Sequence, residues 1–135
     1  TSDELFFTYF LAKYHRYAGN PEKALELLPA TLPDNIFQLH AKILEIQILY
    51  ELNSDLLPYR MDALRVFLHR SGPKLHPQER IIKVGRFLNY LMQLCRCAPG
   101  NMKRIGKIVT RIQTDSQTSE YHWLLEKAAA LAASR

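Results

Sequence analysis

The sequence has no uninterrupted apolar run near the roughly 18 residues that span a bilayer. It also has no charged-then-apolar start ending in a small-residue cleavage site. No membrane partner is therefore expected, and the location is read as cytoplasmic. Cysteine is scarce: Cys95 and Cys97 are the only two. They lie two residues apart on a predicted helix, which turns them to nearly opposite sides. That spacing excludes a mutual disulfide or a shared metal, and predicts buried or half-buried free thiols in a reducing compartment. Period-2 alternation with β-branched residues is missing, so no strands are predicted.

The constellations of an enzyme are missing too. There is no nucleophile with a base, no paired carboxylates and no glycine-rich phosphate loop. The five glycines fall at helix ends (Gly19, Gly100), singly within helices (Gly85, Gly106) or in a loop (Gly72). Gly85 and Gly106 are expected to let two helices approach closely. His15, His40, His69, His76 and His122 include no i, i+4 pair and no HExxH. Asp62 and Glu79 are lone acids among bases and read as ion-pair partners. No enzyme, metal or cofactor is predicted.

What is present is helical. Apolar residues make up 47% and charged residues 23% of 135 residues, an ordinary balance for one globular domain with a real core. Clusters of Gly, Pro, Asn, Asp and Ser divide the chain into seven helices, over about 3–18, 21–30, 35–52, 55–70, 77–97, 101–113 and 118–133. Gly19 suits a left-handed C-terminal residue, and Asn20 with Pro21 suits a helix start. Pro58 is tolerable only in a first turn. Thr118 or Ser119 is expected to cap the last helix. The short connections make neighbours antiparallel. The whole chain, 1–135, reads as one helical-repeat domain with hairpins at 3–31, 35–70 and 77–113 and a capping helix at 118–133. Trp123 is expected to anchor that helix over the end of the sixth.

An internal repeat is the most informative feature. In HRYAGNPEKALELL (15–28), Gly19 ends one helix, Ala24 is small where two helices would cross, and Leu28 is the next large apolar position. Thirty-four residues on, Gly19 maps onto Asn53, also a residue that tolerates the left-handed region. Leu11 maps onto Glu45 and Ala24 onto Pro58, which are departures. The segment resembles the centre of a tetratricopeptide repeat. Over about four-fifths of its length, the chain is also similar to the C-terminal part of a group of uncharacterised bacterial tetratricopeptide-like proteins. The stretches that carry this are AKYHRYAGNPEKALELL (12–28), LYEL (49–52), ALRVFLHR (63–70) and WLLEK (123–127). The resemblance implies an all-α, tetratricopeptide-like α-α superhelix of about seven antiparallel helices that binds a protein or peptide. It implies no activity or ligand. In that geometry the first and third helices line the concave face and expose Tyr9, Lys13, Arg16, His40 and Gln47.

Two further features concern partners. Leu5, Phe6, Phe7, Tyr9, Phe10, Leu11, Tyr14 and Tyr17 make the first helix apolar on more than one side, so it is expected to be covered. A preceding repeat, a partner or self-association would each do so. The first of these, with a start at Thr1 rather than Met, would make the chain a piece of a longer array. Charge is also uneven. Residues 1–59 carry −4, residues 60–111 carry +10 and residues 112–135 carry −1. Arg80, Lys83 and Arg86 recur on the fifth helix and Arg104, Lys107 and Arg111 on the sixth, with Arg60, Arg65 and Arg70 on the fourth. Their inward faces are read as Ile81, Val84, Leu88, Leu91 and Cys95, and as Met102, Ile105, Val109 and Ile112. Such a stripe is a solvated face, a dock for an acidic protein, or a nucleic-acid surface.

Overall fold

The computed structural model describes residues 1–75 and 77–134. His76, part of the expected His76-Pro77 break, lies outside them. The described residues form seven α-helices and no strand: α1 (Ser2–Tyr17), α2 (Pro21–Leu27), α3 (Asn35–Glu51), α4 (Leu57–Ser71), α5 (Gln78–Cys95), α6 (Met102–Gln113) and α7 (Tyr121–Ala133). A 3-10 turn, Gly72–Lys74, follows α4 and takes in Gly72, expected in a loop. Among the described residues, no helix is long and apolar enough to cross a membrane. The chain forms two compact units, Thr1–Leu75 and His76–Arg135.

In the first unit α1 packs on α2, α3 packs on both, and α4 packs on α3. Tyr9 and Ala12 of α1, Ala24 of α2, Leu32, and Ala41, Leu44 and Ile48 of α3 share one core. Ala12 and Ala24 are completely buried. Only a methyl group stands at each, so the helix backbones can come close there. Leu57, Met61, Leu64 and Leu68 follow helical spacing and form the buried stripe of α4. Burying one such side chain contributes about 1.5–3 kcal/mol.

The two hairpin turns of this unit are copies. Gly19 has φ 89° and Asn53 has φ 53°, both left-handed, 34 positions apart. The Gly19 amide donates to the Arg16 carbonyl (3.1 Å) and the Asn20 amide to the His15 carbonyl (2.8 Å). The Asn53 amide donates to the Tyr50 carbonyl (3.0 Å) and the Ser54 amide to the Leu49 carbonyl (2.9 Å). Each pair is a Schellman closure of the helix, and every atom in the second lies 34 residues after its counterpart in the first. The copies then diverge. α2 starts two residues after Gly19, whereas α4 starts four after Asn53. Ala24 therefore maps onto Pro58, which is exposed, and α4 buries its neighbour Leu57.

Local chemistry moves several helix ends from their expected places. α2 stops at Leu27, short of residue 30, because Leu28 precedes Pro29 and is extended (φ −65°, ψ 121°). Asn20 makes no side-chain capping bond, whereas Asp34 caps α3 by accepting from the Ile36 and Phe37 amides (2.7 and 3.2 Å). α7 starts at Tyr121 rather than 118, after the left-handed Glu120 (φ 58°). Thr118 is no cap: it is buried, and its hydroxyl has no hydrogen-bond partner among the described residues.

In the second unit α5, α6 and α7 each pack on the other two. The core is Val84, Phe87, Leu88, Leu91 and Leu94 of α5, Ile105, Ile108 and Ile112 of α6, and Trp123, Leu124 and Ala128 of α7. The Trp123 ring lies 6.0 Å from the Phe87 ring and carries the Lys127 ammonium at 5.7 Å. Trp123 thus joins α7 to α5, and α7 packs on α6 as well. One expected inward position on each face is exposed instead. Leu94 points inward and Cys95 is exposed; Ile108 points inward and Met102 is exposed. Cys97 is buried. A Cβ added at Gly85 or Gly106 would meet nothing within 4 Å, so neither glycine serves a close helix crossing.

Candidate interaction surfaces

α1 is held at its start by a capping box between Thr1 and Glu4. Its inner side gives Tyr9 and Ala12 to the core. Its outer side exposes Phe7 (67%), Phe10 (52%), Tyr14 (62%) and Tyr17 (85%). Steps of three and four residues place these four rings along one stripe. A contiguous exposed aromatic row is the kind of apolar patch that contact surfaces use.

A second group of rings joins α1 to α3. The Phe37 ring meets Phe6 at 4.8 Å, His40 at 6.1 Å, and Tyr9 and Phe10 at 6.2 Å each. Phe6 and His40 are themselves 34 positions apart, so equivalent residues of the two hairpins flank one phenylalanine. His40 is exposed and Phe6 and Phe37 are half-buried.

The expected concave face is only partly outward. Lys13 and His40 are exposed, but Tyr9 and Gln47 are buried in the unit and present no surface. Arg16 is largely buried and donates to Glu51 at 3.3 Å, tying the end of α1 to the end of α3. Tyr9 and His40 of the ring group belonged to the expected face; Phe6, Phe37 and the outer stripe of Phe7, Phe10, Tyr14 and Tyr17 lay outside it, although the stripe was visible at helical spacing.

The basic residues divide by unit and by partner. On α4, Arg60 pairs with Glu45 (3.8 Å) and Arg65 with Asp62 (2.9 Å). In the second unit Asp115 gathers part of the stripe. Arg86 pairs with it at 3.0 Å, and the Tyr90 hydroxyl donates to it at 3.1 Å. Arg111 donates to the Gln93 side chain at 3.4 Å. Burial, the bond to Asp115 and that carboxylate's charge, in that order, push the Tyr90 phenol above its usual range, while Arg86 and Arg111 pull it down. Arg80 and Lys83 are half-buried. On α6, Lys103, Arg104 and Lys107 are exposed and make no ion pair among the described residues. Lys103 escaped the sequence reading, although it stands four residues before Lys107. The α6 segment contains no acid.

Among the described residues, no three His, Cys, Asp or Glu side chains are grouped to hold a metal ion. No protein-family model, curated protein or solved structure matches the chain.

Proposed function

We propose that this chain is a noncatalytic, tetratricopeptide-like repeat scaffold that binds another protein or peptide across the helices α1 and α3. The observation that carries the reading is the pair of Schellman turns in identical hydrogen-bond register 34 positions apart. Stacked hairpins of that length are the unit of tetratricopeptide arrays. The packing of α3 on both helices of the preceding hairpin supports it. In such an array equivalent residues stand near one another along one face, as Phe6 and His40 do here on either side of Phe37. Lys13 is the exposed charge on that side of the proposal, and Arg16 fixes the two helices together. A photo-crosslinker in place of His40, tested in native cells, should capture one protein reproducibly, and one at exposed Glu126 should not. Equal capture from both positions, or none from His40, overturns the reading.

A second reading concerns the second unit. Lys103, Arg104 and Lys107 form an acid-free basic face on α6 that attracts anions, either an acidic protein or a nucleic acid. Filter binding over a salt series tests the nucleic-acid version. Affinity that falls steeply with salt, and weakens in Lys103→Ala/Lys107→Ala, supports it; binding indifferent to salt and to both substitutions removes it.

A further inference from the structure

The two hairpins of the first unit indicate what covers the outer stripe of α1. Stepping 34 positions on from Phe7, Phe10 and Tyr14 leads to Ala41, Leu44 and Ile48. Those three are 5%, 3% and 0% exposed, and through them α3 joins the core of Tyr9, Ala12 and Ala24 in the hairpin before it. The register was fixed by the backbone turns at Gly19 and Asn53, independently of these side chains. α1 therefore turns outward the same three positions that α3 uses to sit on a hairpin. In α1 all three are aromatic.

We infer that Phe7, Phe10 and Tyr14 are the seat of a further helical hairpin, contributed by polypeptide N-terminal to Thr1 and packed on α1 as the α1–α2 hairpin packs on α3. This inference rests on the repeat reading above and names the neighbour of that array. The chemistry of the seat constrains the occupant. Phe7, Phe10 and Tyr14 are bulkier than Ala41, Leu44 and Ile48, so the covering hairpin must be smaller where it meets them. Its counterpart of Tyr9, the one aromatic ring among the buried residues of the existing seam, must be a smaller residue. It must also offer a hydrogen-bond acceptor or a water path to the Tyr14 hydroxyl, because a buried phenol keeps a partner.

The test uses one thiol. Tyr14→Cys in a Cys95→Ser background places a reactive cysteine on the stripe, with Cys97 buried. Labelling by a maleimide is compared in the 135-residue chain and in the longest polypeptide encoded with it. Tyr59→Cys, at a position 73% exposed, is the control. The expected result is fast labelling of both sites in the 135-residue chain. In the longer polypeptide position 14 should be slowed by at least about a hundredfold, as local opening of a packed helix pair requires, with position 59 unchanged. Equal labelling at position 14 in both overturns the inference, as does a longer polypeptide with no helical hairpin ahead of Thr1. Protection in the longer polypeptide that vanishes on dilution makes the occupant a second copy and also overturns it. Protection at position 14 with no capture from His40 would leave the stack standing and remove the scaffold reading.

Discussion

Glycine to alanine is one chemical change, and this structure gives it opposite signs at different positions. Gly19 has φ 89°, and a Cβ built there meets nothing within 4 Å. Its substitution therefore costs backbone strain alone. The left-handed conformation costs an alanine about 1–2 kcal/mol. Against that, alanine lowers the entropy of the unfolded chain, which returns roughly 0.5–1 kcal/mol. The net expectation for Gly19→Ala is a loss of about 1 kcal/mol, or about 4 °C in Tm for a chain of this size. Gly85 and Gly106 lie inside helices with the same open space around the built Cβ. There alanine is free of strain and should stabilise by about 0.5–1 kcal/mol. Asn53, at φ 53°, should accept glycine with little loss or a small gain. Gly100 adds a collision to its φ of 79°, since a Cβ would lie 2.7 Å from the Ser134 carbonyl oxygen. Gly100→Ala should thus cost more than Gly19→Ala, or release the bond from the Gly100 amide to the Leu131 carbonyl. Urea unfolding followed by far-UV circular dichroism measures the whole series. Stabilisation by Gly19→Ala equal to that by Gly106→Ala would refute the turn geometry on which the 34-residue register depends.

The Arg16–Glu51 pair, with side chains 15% and 16% exposed, should show coupling of about 1–3 kcal/mol in a double-mutant cycle with Arg16→Met and Glu51→Gln; coupling near zero would mean that solvent screens the pair. The raised Tyr90 phenol contributes stability that is complete below its ordinary range near 10 and is lost as pH rises through its higher folded value. Asp115→Asn should lower that titration in tyrosine-resolved NMR and shift alkaline unfolding accordingly, and an unchanged midpoint would contradict the contact. The uncovered aromatic stripe should make the 135-residue chain associate with rising concentration in sedimentation velocity. Phe7→Lys/Tyr14→Lys should render it monomeric with helix content intact, and a monomeric parent at high concentration would argue against the stripe as a contact surface.

Helix number and order were legible because helices carry their own punctuation. Gly19, Asn53 and Asn101 mark turns or caps by side-chain type alone. Helix ends were less legible where two signals compete. Leu28 has apolar spacing that continues the helix, but Pro29 behind it forces an extended backbone, so α2 ends early. Thr118 looks like a cap by type, yet burial takes it and the left-handed Glu120 starts α7. Single inward positions were misplaced: Leu94 is buried and its neighbour Cys95 exposed, and Ile108 is buried beside half-buried Val109 while Met102 is exposed, because adjacent apolar residues satisfy the same spacing rule. The repeat faded in the second hairpin for a definite reason. Two added residues between Asn53 and α4 break the fixed period after the turn, and neither Pro58, 34 positions after buried Ala24, nor Arg60, at the same place in its helix, is buried.

The surface residues yield to the same register once it is applied position by position. Tyr9 pairs with Ile43 and Lys13 with Gln47, and both second members are buried. The Tyr9–Ile43 pair is apolar in both copies, which is the signature of a core position; an exposed binding residue has no reason to be apolar twice. Phe7, Phe10 and Tyr14 with Ala41, Leu44 and Ile48 satisfy that signature as well, and yet one set is exposed and the other buried. Sequence alone cannot separate two copies of a seam position, because the difference lies in whether a neighbour is present to cover it. α3 has α1 and α2 on that side, whereas among the described residues of the first unit α1 packs on α2 and α3 and leaves Phe7, Phe10 and Tyr14 exposed. The stripe therefore has the register of a core surface and the exposure of an open one.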